Sequence, residues 1–135
     1  MHRPASAAIA AAFVLTALVG STLPALGSGE SFTQARFEAL QSEGALVLVD
    51  VAASWCPTCA KQKAVLERYR AERPNVDLHI LRVDFDDQKN WVKHFKAPRQ
   101  STLLLFRGAE QVWFAVAETR AEVIFRAIDE AAKAG

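Results

Sequence analysis

Ala45-Leu46-Val47-Leu48-Val49-Asp50-Val51 is an apolar run, rich in β-branched residues, broken only by one carboxylate. Such a run has no face to leave in water, so it predicts a central strand buried on both sides. Asp50 is out of place there. An acid inside an apolar strand is costly to ionise, so its pKa should rise. Four residues beyond Val51 the chain reads Trp55-Cys56-Pro57-Thr58-Cys59, and Ala60 to Arg70 then carries a helical pattern that Pro74 ends.

The rest of the pattern supplies what covers this strand. Ser31 and Gln34 have capping-box spacing before a helix with Phe37 and Leu40 on one stripe, ending at Gly44. Val76 to Val83 alternates as a second strand, and Asp86 or Asp87 can cap a short helix holding Trp91, Val92 and Phe95. Thr102–Phe106 and Val112–Val116 flank Arg107-Gly108-Ala109-Glu110 as a hairpin, and Thr119 with Glu122 can box a last helix through Val123, Ile124, Ala127, Ile128 and Ala131. Strands joined through a helix run parallel, whereas a hairpin adds antiparallel ones. The expectation is an α/β fold: a mixed four-stranded sheet with helices on both faces.

Charge is unevenly placed. Pro4 to Gly29 contains no charged residue, and the apolar core of that stretch is about 13 residues, Ala7 to Val19. With the basic start at Arg3 and the small-residue exit Ala25-Leu26-Gly27, this predicts a secretory signal peptide over 1–27 and a mature domain over 28–135. An uncleaved anchor is the alternative, although the core is shorter than the roughly 20 residues that span a bilayer. The whole chain has 16 Lys+Arg and 15 Asp+Glu. Arg3 is the one charge before residue 28, so the mature domain is neutral. No basic footprint for nucleic acid exists. Two cysteines are too few for a disulfide-dense scaffold.

Those two cysteines carry the chemistry. A Cys-x-x-Cys at a strand-to-helix junction puts Cys56 at the helix N-terminus and Cys59 one turn inside. Unpaired N–H groups and the helix dipole favour a thiolate at Cys56, and such placement lowers a thiol pKa from about 8.5 into a range of roughly 3.5–7.5. Pro57 suits the first helical position, where no N–H is needed. Cys56 can attack a disulfide and Cys59 can then resolve the mixed disulfide. An inert structural disulfide and half of a zinc site are the competing readings; His79 and His94 lack paired ligand spacing, so no metal is expected.

The mature chain resembles the thioredoxin superfamily. The resemblance rests on Leu48-Val49-Asp50-Val51, on Trp55-Cys56-x-x-Cys59, and on Ser101-Thr102-Leu103-Leu104-Leu105-Phe106-Arg107-Gly108. It implies a thioredoxin-like fold, although the usual leading strand is missing from the pattern. It also implies that Asp50 assists proton transfer at Cys59, with Arg82 on the next strand where the family often has lysine. Arg keeps its charge where Lys can lose it, so Arg82 should hold Asp50 more firmly ionised. The family's cis-proline position holds Ser101 here. A cis bond before a non-proline residue costs about 2.5–4 kcal/mol, so a trans peptide is expected. Ala52 stands where an aromatic residue is common, and Ala117 where a glycine lies near the site.

The resemblance makes Trp55, Pro57, Thr58, Ser101 and Thr102 candidate substrate-binding residues beside the catalytic Cys56, Cys59 and Asp50. Trp91 and Trp113 read as core or half-buried fillers, and Arg99 and Gln100 lie in the loop before Ser101. The expected function is a thiol–disulfide oxidoreductase that reduces protein disulfides in the periplasm or outside the cell. It is expected to be monomeric, without a cofactor, and re-reduced by a membrane-bound electron donor. A disulfide oxidase or isomerase, and a non-catalytic client-binding module, are the alternatives.

Overall fold

In a computed structural model the residues described are 29–135, so the signal peptide over 1–27 and its cleavage site lie outside them. The elements are β1 (Glu30–Ser31), α1 (Gln34–Ser42), β2 (Leu46–Ala52), α2 (Pro57–Glu72), β3 (Leu78–Asp84), α3 (Lys89–His94), β4 (Thr102–Arg107), β5 (Glu110–Val116) and α4 (Ala121–Lys133). They form one sheet in the order β1-β3-β2-β4-β5. The strands β1, β3 and β2 are mutually parallel, and β4 and β5 are antiparallel additions.

The sheet therefore has five strands where four are expected. The added one, β1, pairs Glu30 with Leu81 and Ser31 with Arg82, and the Phe32 N–H donates to the Arg82 carbonyl. Two polar residues are too short a run for alternation to register. What holds them is Phe32, buried with its ring against Phe37, Trp91 and Phe95. Ser31 is thus in a strand, and the α1 cap is Thr33, whose Oγ1 accepts the Arg36 N–H at 3.2 Å. The other two expected caps also move. Gln88, not Asp86 or Asp87, precedes α3, because Asp84 Oδ1 accepts the N–H groups of Asp86 and Asp87 in a turn before the helix. Arg120 precedes α4, and it is Glu118 that accepts the Thr119 and Arg120 N–H groups.

Every residue of β2 is buried, and its side chains alternate between two cores. Val47, Val49 and Val51 join Leu81, Val83 and Leu104 beneath α1 and α3, with Phe32, Phe37, Phe95 and Phe106 as an aromatic cluster. Leu46 and Leu48 join Ile80, Leu103 and Leu105 against α2 and α4, through Leu66, Tyr69, Ile124 and Ile128. Each fully buried aliphatic side chain stabilises by about 1.5–3 kcal/mol. Trp91 and Trp113 pack at the margins of these cores. At the hairpin, Gly108 takes φ 57°, and a Cβ there would lie 3.3 Å from the Gly44 Cα, so both the turn and the close approach require glycine. Among the described residues no helix is long and apolar enough to cross a membrane.

Candidate active site

The C-terminal end of β2 delivers the chain to α2 through Ala53, Ser54 and Trp55. Cys56 is the N-cap of α2, Pro57 occupies its first turn, and Cys59 lies one turn in. Cys56 and Cys59 form a disulfide with their Cα atoms 5.2 Å apart. The Cys59 N–H donates to Cys56 Sγ at 3.1 Å. An N-cap side chain normally satisfies a free helix N–H with oxygen; here sulfur does it. After reduction the same N–H and the positive helix end face a thiolate at Cys56, which they favour. Both cysteines are 4% exposed and pack with Ala52, Ala53 and Phe85. Trp55, by contrast, is 59% exposed, with its indole N–H donating to Asp86 Oδ2 at 2.8 Å. Pro57 is exposed and Thr58 half-buried.

Asp50 is fully buried. The period of two along β2 places it with Leu46 and Leu48, on the face that α2 covers. Opposite it in the parallel register is Arg82, whose Nη2 and Nε donate to Asp50 Oδ2 at 2.8 and 3.2 Å. Asp50 Oδ1 has no hydrogen-bond partner in the protein. Burial pushes the Asp50 carboxyl above its ordinary 3.8, and Arg82, the next largest influence, opposes without cancelling it. The expected pairing is present, but Arg82 does not reverse the effect of burial. Its own side chain is one-third exposed, so water shares its charge.

Ser101 faces the disulfide from the loop before β4, with its Oγ 3.9 Å from Cys56 Sγ. That hydroxyl donates to the Gln100 carbonyl at 2.5 Å. The described residues contain no cis peptide bond, and Ser101 takes φ 61°. Proline, locked near −65°, cannot adopt that angle. Thr102 is fully buried, and its hydroxyl donates inward to the Arg99 carbonyl at 2.6 Å. Ala117 is a second left-handed residue, at φ 56°, and its N–H donates to the Ser101 carbonyl at 2.8 Å.

Gln62 lies outside every motif that the sequence pattern singles out. It is fully buried, and its amide donates to the Ser101 carbonyl at 3.1 Å and to the Glu118 carbonyl at 2.9 Å. The signal was present: Cys59, Gln62, Leu66 and Tyr69 form the buried stripe of α2, with a polar residue where an apolar one belongs. Left-handed backbone costs an L-residue about 1–2 kcal/mol. A hydrogen bond contributes roughly 0.5–1.5 kcal/mol net. The bonds that converge on Ser101 and Glu118 are thus of the size needed to offset the strain at Ser101 and Ala117.

The arrangement suits sulfur exchange: a paired dithiol at a helix end, a buried carboxyl on the sheet beneath that helix, and an exposed indole beside it. Among the described residues no group of three or more His, Cys, Asp or Glu is placed to hold a metal ion.

The raised Asp50 pKa fixes the sign of one stability effect. Proton binding favours the folded state, so the penalty of the ionised side chain is absent below the ordinary carboxyl range and grows as pH rises through it and through the higher folded value. Asp50→Asn should therefore raise Tm at pH 8, with a gain that fades toward pH 3. Arg82 reaches water and is not stranded by the change. Thermal melts of both proteins across that range check this; a variant less stable at pH 8 would contradict it.

Comparison with known proteins adds four observations. The thioredoxin family model matches residues 29–130. Thioredoxin of Chlamydia trachomatis is 37% identical over 67 residues, covering 50% of this chain and 64% of the relative. Thioredoxin of Listeria monocytogenes is 36% identical over 83 residues, covering 62% and 79%. The match thus spans slightly less than two thirds of the chlamydial protein's length. The crystal structure of Trxlp from Edwardsiella tarda is similar with a TM-score of 0.69 and 37% identity, covering 73% of this chain and 96% of that one.

Proposed function

The chain belongs to the thioredoxin family, and from that membership we propose that it is a thiol–disulfide oxidoreductase that reduces protein disulfides outside the cytoplasm. The observation that carries the chemistry is the Cys56–Cys59 disulfide at the N-cap of α2, with the Cys59 N–H on Cys56 Sγ.

In the reduced protein the Cys56 thiolate attacks one sulfur of a substrate disulfide. A Cys56–substrate S–S bond forms, the substrate bond breaks, and the other substrate sulfur leaves as a thiolate. Cys59 then gives up its proton and attacks Cys56 Sγ. The mixed disulfide breaks, the second substrate thiolate is released, and two electrons have passed from the dithiol to the substrate. The protein is left with the disulfide seen in the structure. Asp50 is the acceptor for the Cys59 proton. Its raised pKa makes its carboxylate a better base than an exposed aspartate, and Oδ1 is not engaged by Arg82. Trp55, Pro57 and Thr58 on one side and the loop that ends at Ser101-Thr102 on the other flank the disulfide as the substrate-facing rim. Ser101 is the member nearest Cys56, and Thr102, buried with its hydroxyl turned inward, holds the loop rather than touching the substrate.

Reduction is favoured over oxidation by Asp50, which serves the step that completes substrate release. The site of action follows from residues 1–27, with their single charge at Arg3 and apolar run to Val19. An exported reductase needs a two-electron donor at the membrane, and the proposal includes one; it also takes the mature domain as a monomer.

Insulin disulfide reduction with dithiothreitol as reductant tests the chemistry. Cys56→Ser should lose essentially all rate enhancement, and Cys59→Ser should accumulate a mixed disulfide visible by mass spectrometry after acid quench. A Cys56→Ser protein as active as the native one would remove the assignment. Intact-mass analysis of protein recovered from an expressing cell tests export: the expected species begins near Ser28, and an intact Met1 on membrane-bound protein would point to an anchor.

A further inference from the structure

Gln62 touches neither sulfur, yet it is the one buried polar side chain on the face of α2 that connects the cysteine helix to the loops around it. We propose that Gln62 is a positioning residue for substrate binding, fastening the Ser101 loop to the helix that carries Cys56 and Cys59. The inference rests on the redox reading above and specifies how that site holds its substrate-facing loop.

The geometry is closed around one carbonyl. Ser101 O accepts both the Ala117 N–H and the Gln62 amide, so its two lone pairs are filled. The second Gln62 proton goes to Glu118 O. Because both acceptors are carbonyl oxygens, only the NH2 end of the amide can occupy this place, and a carboxylate there would meet two like dipoles. Gln62 thereby ties together the two segments that meet at the open end of the β4–β5 hairpin, Ser101 before β4 and Glu118 after β5, where the left-handed Ser101 and Ala117 are themselves joined by the Ala117 N–H. A proline fixes a loop through its own ring. Ser101 has no such constraint, and at φ 61° its backbone is held by partners instead. Two of the three bonds in the cluster originate on Gln62. Its Oε1 is buried without a partner, so this residue carries a desolvation cost that an apolar residue on the stripe would avoid.

The consequence is specific to substrates that use the loop. Ser101 itself is buried, and the loop that leads to it is open to solvent at Arg99 and partly at Gln100. On the reading above a protein disulfide docks along that loop, whereas a small aromatic disulfide needs only the sulfur of Cys56. Gln62→Met keeps length and burial and removes both donors. With each protein pre-reduced, second-order rates are measured against insulin and against 5,5′-dithiobis(2-nitrobenzoate), alongside a thermal melt. The insulin rate of Gln62→Met should fall about tenfold more than its rate with the small disulfide, the scale of one lost favourable contact. Adding Ala117→Gly, which removes one left-handed cost, should recover part of that difference. Equal losses on both substrates in a folded variant, or no loss on either, would overturn the positioning role. Amide exchange in the native protein gives an independent check: the Ala117 N–H should be protected like the β4–β5 ladder, and exchange at an open-loop rate would also overturn it. If the native protein reduces neither disulfide, the redox reading itself fails, a result distinct from either of these.

Discussion

A strand without a solvent face constrains everything built around it. All seven residues of β2 are buried, so helices must cover both sides of the sheet, and the chain can leave only at the strand's ends. At the C-terminal end it turns directly into α2, which sets Cys56 on the first free N–H groups of a helix whose far turns are pinned by Leu66 and Tyr69. The same burial gives Asp50 its chemistry. On an exposed strand it would be an ordinary carboxylate; here desolvation outweighs the guanidinium beside it. Helix placement and carboxyl basicity are therefore two results of one packing constraint.

The features legible in the sequence were those whose cause is local or strictly periodic. Asp50 interrupts an apolar run, Pro57 sits where a helix begins, and Cys56 and Cys59 have one-turn spacing. The Asp50–Arg82 pairing was also legible, although the balance between burial and Arg82 was not, because it depends on how much of Arg82 remains in water. Long-range features stayed hidden. The two-residue β1 exists because Phe32 finds an aromatic pocket formed by α1 and α3. The starts of α3 and α4 moved by one or two residues because Asp84 and Glu118 hold the N–H groups just before each helix in turns. Gln62 looked like one polar residue among several on a charged helix, and its meaning appears only when Ser101 and Glu118 are brought over it.

Strain and its compensation lie on one side of the disulfide. Ser101 and Ala117 both adopt left-handed backbone, and both are held by hydrogen bonds to neighbouring segments. On the other side the rim is unstrained and open, with Trp55 standing in solvent on its bond to Asp86. A site with one fastened wall and one accessible wall can fix the direction of approach while still admitting partners of different shape. This asymmetry is set by Gln62 and Ser101 in this chain.

Disulfide exchange at this site requires the Cys56–Cys59 pair to open and close reversibly. Equilibrating the protein with defined glutathione and dithiothreitol buffers, and counting free thiols by mass spectrometry, measures its reduction potential. A single two-electron transition is predicted within roughly −270 to −120 mV, toward the reducing end of that range. A pair that stays oxidised to below about −300 mV would mark an inert structural disulfide and contradict the account.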